Sequence, residues 1–157
     1  SLLNDDEICI RKYTIEYLAK YQLKGKIAFD PSCSTGKFLS EIKKAYPAIK
    51  IIGQDINEKM LNYAKPFLDK SYLGNALSPH LKKETADFIF IRFLNFGVIN
   101  VSEAHIILSK LIPICKKKGE IIITGHTPVL ISKEAMKQLN LKILQTSAYC
   151  AHHNTYF

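Results

Sequence analysis

Two short stretches hold the residue types that could do chemistry. The first is Phe29-Asp30-Pro31-Ser32-Cys33-Ser34-Thr35-Gly36-Lys37-Phe38, an acid followed by a run of small residues. The second is Ile51-Ile52-Gly53-Gln54-Asp55-Ile56-Asn57-Glu58-Lys59-Met60-Leu61-Asn62-Tyr63-Ala64, an apolar run that ends on an acid. A carboxylate has two acceptor oxygens, which suits a vicinal diol. Small residues after the first acid let a ligand approach the backbone closely.

Two phosphate-binding readings of the first stretch fail on their own residues. A dinucleotide fingerprint needs three glycines spaced G-x-G-x-x-G, and Gly36 is the only glycine in the stretch. A P-loop needs G-x-x-x-x-G-K-[ST]. Gly36-Lys37 fits its end, but Pro31 stands at its first glycine and Phe38 at its hydroxyl.

The elements that must position these acids follow from the hydrophobic pattern. Residues 5–22 read as a helix with an imperfect apolar stripe, closed by Gly25. Residues 26–30 are a strand, 36–46 a helix ended by Pro47, 49–54 a strand, and 57–68 a helix broken near Pro66. Tyr72–Leu73 is a minimal strand and Asp87–Phe93 a strong one. A long helix covers 102–117 across Pro113, and Gly119–Thr124 is a strand. A helix over 132–140 and a strand over 141–149 follow, and a last strand is in progress at the end of the chain. Alternating strands and helices predict a three-layer α/β/α Rossmann-like sandwich with a mostly parallel, seven-stranded sheet. The reading is of a single domain, with residues 1–25 as an N-terminal lid helix and 26–157 as the core. In such a sheet ligands sit at the carboxyl ends of the strands, which puts Asp30 and Asp55 on one edge.

In this arrangement the chain resembles the class I S-adenosylmethionine-dependent methyltransferases. Their first motif runs roughly D-x-G-x-G-x-G; Asp30 and Gly36 match its ends, and Ser32 and Ser34 replace its first two glycines. The second stretch resembles the family's second motif, and the resemblance makes Asp55 the ribose ligand with Ile56 beside it. Met60 reads as core. Leu73-Gly74-Asn75-Ala76-Leu77 is similar to a Gly-Asp-Ala segment, where the carbonyl oxygen of Asn75 would accept from the adenine amino group and Ala76 would lie alongside. Asp87–Phe96 resembles the fourth strand, bordering both the methionine part and the acceptor, which places Arg92 on the cofactor. Leu111–Thr124 resembles the fifth block. The resemblance implies S-adenosyl-L-methionine as cofactor.

The acceptor is less legible. Asp30–Leu39 also resembles the DPACGSG-F-L turn of DNA adenine methyltransferases. Those enzymes carry [DNS]-P-P-[YFW] after strand four to hold a flipped base, and here that place reads Arg92-Phe93-Leu94-Asn95-Phe96-Gly97. A small-molecule acceptor is therefore expected ahead of nucleic acid. The other alternative is a binding module without catalysis, suggested by the two serines and by Asn75. Tyr13, Phe93, Asn95 and Phe96 are the candidate acceptor contacts, with Tyr17 and His126 as candidates for catalysis; His126 follows strand five and is the best-placed base.

Composition fits an enzyme core of this kind. The chain has 157 residues, of which 47% are hydrophobic. Its four cysteines form no CxxC pair, so neither a disulfide framework nor a zinc site is expected, and Cys150 with His152 and His153 is too sparse for a metal. The net charge is +8, carried almost wholly by lysine, with Arg11 and Arg92 the only arginines. That favours a solvated basic surface over a phosphate-reading one. With no signal peptide pattern and no membrane-length apolar run, the reading is a cytoplasmic monomer or homodimer.

Overall fold

A computed structural model describes residues 5–92, 99–124, 131–145, 149–150 and 155–156. Helix α1 (Asp5–Leu18) precedes strand β1 (Ile27–Asp30), α2 (Lys37–Ala45), β2 (Lys50–Asp55), α3 (Glu58–Ala64) and β3 (Lys70–Leu73). Then come β4 (Ala86–Ile91), α4 (Val101–Leu111), β5 (Cys115–Ile123) and α5 (Lys133–Gln138). The strands pair in the order β3-β2-β1-β4-β5, every pair parallel.

The period-2 alternation of a strand sorts each one between two cores. Ala28, Ile51, Phe88 and Phe90 face Leu18 of α1, Phe38, Leu39 and Ile42 of α2, and Leu61 of α3. Phe29, Ile52, Ile89 and Ile91 face Ala104, Ile107, Leu108 and Leu111 of α4. Both faces are covered, which is why these strands read as unbroken apolar runs. The three-layer architecture expected from the sequence is present.

The expected seven strands are corrected to five in this sheet among the described residues. Residues 141–145 form no strand; Ile143 and Leu144 are exposed there, without a sheet face to cover them. Tyr149–Cys150 and Thr155–Tyr156 are two-residue strands, β6 and β7, paired antiparallel with each other apart from the main sheet. The long helix expected to Lys117 ends at Leu111, and a 3₁₀ turn over Ile112–Ile114 carries Pro113. A proline cannot donate the helical hydrogen bond, so the chain turns there and β5 starts at Cys115. Its register shifts between the Cys115–Ala86 and Glu120–Phe88 pairs. Gly119 lies in this bulge; a Cβ on it would come within 2.8 Å of the Asp87 carbonyl oxygen.

Local signals agree with this packing. Asn57 caps α3 by accepting from the Met60 N–H at 3.2 Å, and Asn100 forms a reciprocal capping box with Glu103 on α4. No helix among the described residues is long and apolar enough to cross a membrane.

Candidate active site at the carboxyl edge of the sheet

Strand order reverses between β1 and β4, where the connections diverge and leave a crevice at the carboxyl ends. Asp30 and Asp55 lie at that edge as the last residues of β1 and β2. Their surroundings differ.

Asp55 is organised by backbone. Its Oδ2 accepts from the Ser34 N–H at 2.7 Å and its Oδ1 from the Asn57 N–H at 2.8 Å. Each oxygen keeps a second lone pair. The Ser34 bond closes the loop after β1 onto the end of β2. It requires Ser34 at φ 52°, a conformation with a steric cost for a residue that has a Cβ. Gly36 follows at φ 72°, and here only glycine serves. A Cβ on Gly36 would lie 2.8 Å from the Ala64 Cβ, so the turn also sets how closely α2 approaches α3.

Beside Asp55 lie exposed apolar side chains. Ile56 follows it directly and is 68% exposed, and Leu73 is its register partner on β3. The loop after β3 is pinned from below by Gln54, which is fully buried. Its Nε2 donates to the Asn75 carbonyl oxygen at 2.8 Å, and its Oε1 accepts from the His80 N–H at 3.0 Å. The His80 ring stacks on Tyr72. The side-chain oxygen of Asn75 accepts from the Leu77 N–H at 2.9 Å, which leaves one lone pair on it. Ala76 lies between them, half-buried.

Asp30 is closed off. It is 0% exposed; its Oδ1 accepts from the Ser32 N–H at 2.9 Å and its Oδ2 from the Arg92 Nε–H at 3.0 Å. Burial pushes its carboxyl up, opposed by Arg92 and the Ser32 N–H. Cys33 is buried beneath the loop, and burial, then Asp30 and Asp55, push its thiol up to about 12, so it stays protonated.

The two tyrosines of α1 part company. Tyr17 donates to Glu120 Oε2 at 2.8 Å, and Tyr21 donates to the other oxygen of the same carboxylate. Burial first, then the hydrogen bonds with Tyr21 and Glu120, push the Tyr17 phenol up, so it stays protonated. Tyr13 accepts a hydrogen bond from Gln145 Nε2. Phe93, Asn95, Phe96 and His126 lie outside the described residues. Sequence reasoning missed Gln54 and Glu120. Gln54 had a signal, a buried-strand position with a polar side chain, whereas Glu120 reads as an ordinary strand residue until α1 is placed over β5.

A profile of the methyltransferase domain matches residues 28–119, from inside β1 to the bulge of β5. The chain belongs to this class I, S-adenosylmethionine-dependent methyltransferase family. Isonocardicin synthase of Nocardia uniformis subsp. tsuyamanensis is 32% identical over 145 residues, covering 92% of this chain and 48% of that protein. A probable tRNA (guanine(10)-N2)-dimethyltransferase of Methanothermococcus thermolithotrophicus is 29% identical over 136 residues, covering 76% of this chain and 82% of its own. The chain spans about half the length of most of the curated relatives it matches. An S-adenosylmethionine-dependent methyltransferase from Aquifex aeolicus has the same fold, with TM-score 0.62 at 21% identity, over 87% of this chain and 83% of its own. In this methyltransferase-family chain Asp30 and Asp55 end β1 and β2, and Gly36 directly precedes α2.

Proposed function

We propose that this chain is the cofactor-binding core of an S-adenosylmethionine-dependent methyltransferase that acts on a small-molecule acceptor. The carrying observation is Asp55, a carboxylate whose two oxygens are oriented by backbone N–H groups at the carboxyl edge and keep lone pairs for a diol. Exposed Ile56 beside it and the pinned Asn75–Ala76 loop fit a nucleoside base. Ser32, Ser34 and Gly36 shape the turn beneath the methionine part, and Asp30 with Arg92 borders it.

Bound S-adenosylmethionine supplies a methyl already activated on a sulfonium. The protein's contribution is then alignment and exclusion of water, with the nucleophile held about 3–3.5 Å from the methyl. Tyr13 and Tyr17 on α1, with Phe93, Asn95 and Phe96, are assigned to the acceptor side. Tyr17 can serve there only as a hydrogen-bond donor, because its phenol is held protonated. His126 is assigned as the base for acceptors that must lose a proton. Residues 1–25 act as a lid on the 26–157 core, and the setting is cytoplasmic, as a monomer or homodimer.

The small-molecule reading draws on the absence of the adenine-enzyme proline motif after Arg92 and on the scarcity of arginine. Isonocardicin synthase is named for a small product, while the archaeal relative is named for tRNA. Nucleic acid as acceptor would show as binding that weakens steeply with salt.

Titration calorimetry with S-adenosylhomocysteine tests the site. Micromolar binding is expected in the wild type, with a loss of about 100-fold in Asp55→Ala. Unchanged affinity in that variant would overturn the ribose assignment. Product analysis tests the reaction. The sulfonium has three carbons open to displacement, and attack on the methyl alone releases S-adenosylhomocysteine. Release of methylthioadenosine would overturn methyl transfer while leaving the binding site in place.

A further inference from the structure

The basic excess of the chain is scattered in sequence and gathered by the fold. In a parallel sheet every strand starts at the same edge, so lysines at strand starts share that edge. Lys50 opens β2, Lys26 directly precedes β1, and Lys83 lies in the turn before β4. Lys116, Lys117 and Lys118 follow Cys115 at the start of β5. These strands are neighbours in the sheet, β2-β1-β4-β5. At about 4.8 Å per strand, the row they form is about 15 Å long. Other lysines at this edge have an ordinary reason, since those closing α2 and α4 complement the negative carbonyl end of a helix. Strand starts carry no comparable dipole.

The row keeps most of its charge. Asp87 holds Lys26 on one carboxylate oxygen at 3.3 Å and Lys116 on the other at 2.8 Å, which fixes two ammoniums side by side and cancels one of them. Asp69 is spent on Lys43 and on the Ile51 N–H. Glu84, exposed in the same turn as Lys83, offsets that lysine. Lys50, Lys117 and Lys118 are exposed, and among the described residues no carboxylate lies within ion-pair reach of them. The carboxyl edge has no such excess. Asp30 is paired with Arg92 there, and Lys37 and Lys59 are matched by Asp55 and Glu58. Lys50 and Asp55 are the first and last residues of β2, so about 17 Å separates the two edges.

A line of like charge suits a polyanion whose own charges run in line. A nucleic-acid strand presents a phosphate about every 3.4 Å, so the row spans about four of them, and release of their condensed counterions drives binding. An acidic protein face would have to hold several carboxylates in a row against their own repulsion. Lysine meets phosphate as a point charge, without the fork that arginine brings. We propose that the amino edge of this sheet is a binding surface for the phosphate backbone of a nucleic-acid strand, held without regard to its sequence. The strand bound here is a partner and not the methyl acceptor, because the row lies at the edge opposite Asp55. The surface uses no residue of the cofactor site, so it stands or falls apart from the proposed function.

The probe is a fluorescein-labelled oligouridylate, followed by anisotropy across a salt series with the full chain. Wild-type affinity should fall with salt at a log–log slope of about −3, from about four phosphates at about 0.7 each. The triple variant Lys50→Glu, Lys117→Glu, Lys118→Glu should bind about tenfold more weakly or worse, with a slope nearer about −1. The triple variant Lys12→Glu, Lys37→Glu, Lys59→Glu makes the same change in net charge on exposed lysines outside the row, and should stay within about threefold of wild type. Cooperative thermal unfolding shows that both are folded, and Lys118→Glu alone should already flatten the slope by about 0.7. An oligonucleotide of mixed sequence should bind within about twofold of oligouridylate. Equal losses in the two triple variants would mean that net charge alone draws the strand, and would overturn the surface. A wild-type slope near zero would overturn it as well. Binding of anionic phospholipid vesicles or of polyglutamate, at a salt concentration where oligouridylate stays free, would overturn the nucleic-acid partner in favour of a membrane or an acidic protein.

Discussion

Two buried aspartates lie at opposite edges of one sheet, and the contrast between them separates stability from function. Asp87 sits at the amino edge, near the start of β4. It accepts from Lys116 Nζ at 2.8 Å, from the Ile27 N–H at 2.9 Å and from Lys26 Nζ at 3.3 Å. Burial alone would push its carboxyl up, but Lys116, the Ile27 N–H and Lys26 outweigh burial and hold it below the ordinary range. Asp30 sits at the carboxyl edge with two partners, and for it burial wins. The amino-edge acid is a compensated strut between β1, β4 and β5. At the carboxyl edge Arg92 and the Ser32 N–H only partly offset burial, so ionising Asp30 opposes folding.

The largest effect on folding is expected from removing the strut. Asp87→Ala strips the carboxylate partner from two lysines and from the Ile27 N–H. It should lower the unfolding free energy by about 2 kcal/mol, chiefly for the Ile27 N–H left without its acceptor, because Lys26 and Lys116 reach solvent. Denaturant unfolding measures this, and calorimetry should show S-adenosylhomocysteine affinity unchanged. A loss of affinity as large as the loss of stability would erase the division between the edges.

The pH dependence sharpens the same division because the two acids have opposite signs. Asp87 has a folded-state pKa below its unfolded value of about 3.9. Its stabilisation is complete above that unfolded value and is lost as pH falls through the folded one. Asp30 has a raised folded-state pKa, so ionising it in the folded protein opposes folding, and its effect is relieved as pH falls through that pKa. Unfolding free energy measured from pH 6 downward should fall more gently at its acid end in Asp87→Asn than in the wild type. In Asp30→Asn the steep acid end should persist. A wild-type profile in Asp87→Asn would mean that the strut is not set by Lys116 and Lys26.

Asp30→Asn should be the milder change for folding, altering stability by less than about 1 kcal/mol. It removes a charge whose burial opposes folding, and the amide oxygen of asparagine still accepts one of the two hydrogen bonds. A cost equal to that of Asp87→Ala would make both acids struts.

The edges also differ in how far they could be read from sequence. The acids Asp30 and Asp55 were legible because each ends an apolar run and starts a helix, a one-dimensional pattern. Gly36 was legible for the same reason, and its positive φ agrees. The link from Asp30 to Arg92 was not legible, because it spans 62 positions and exists only once β4 lies beside β1. The strut was hidden in the same way, since Lys116 reads as the last turn of the long helix over 102–117 and not as the start of a strand. Pro113 marked a helix interruption, but the sequence pattern does not show that the chain leaves the helix there and enters β5 at Cys115, four residues before Gly119. The sixth and seventh strands were expected from apolar residues such as Ile143 and Leu144, and composition alone does not say whether a sheet face is available to cover them.

The smallest expected effect concerns the tyrosine pair that ties α1 to the sheet. Tyr17 and Tyr21 share the Glu120 carboxylate, one on each oxygen. Tyr17→Phe removes one donor and leaves the other, and Glu120 is only half-buried, so water can take the vacated oxygen. The loss should be about 0.5 kcal/mol of stability, the lower end of the net worth of one such hydrogen bond, because water replaces the donor. Glu120→Gln, whose amide keeps only one acceptor oxygen, should cost about as much, and the double variant little more than either alone, since both changes break the same contact. Additive losses would mean that Tyr17 is held by packing, including Lys20 over its ring at 3.5 Å, and not by Glu120. The pH–rate profile separates this pin from a catalytic base. A phenol held protonated by burial and by Glu120 contributes no basic limb near neutrality, so Tyr17→Phe should leave the shape of the wild-type profile in place even where it lowers the rate.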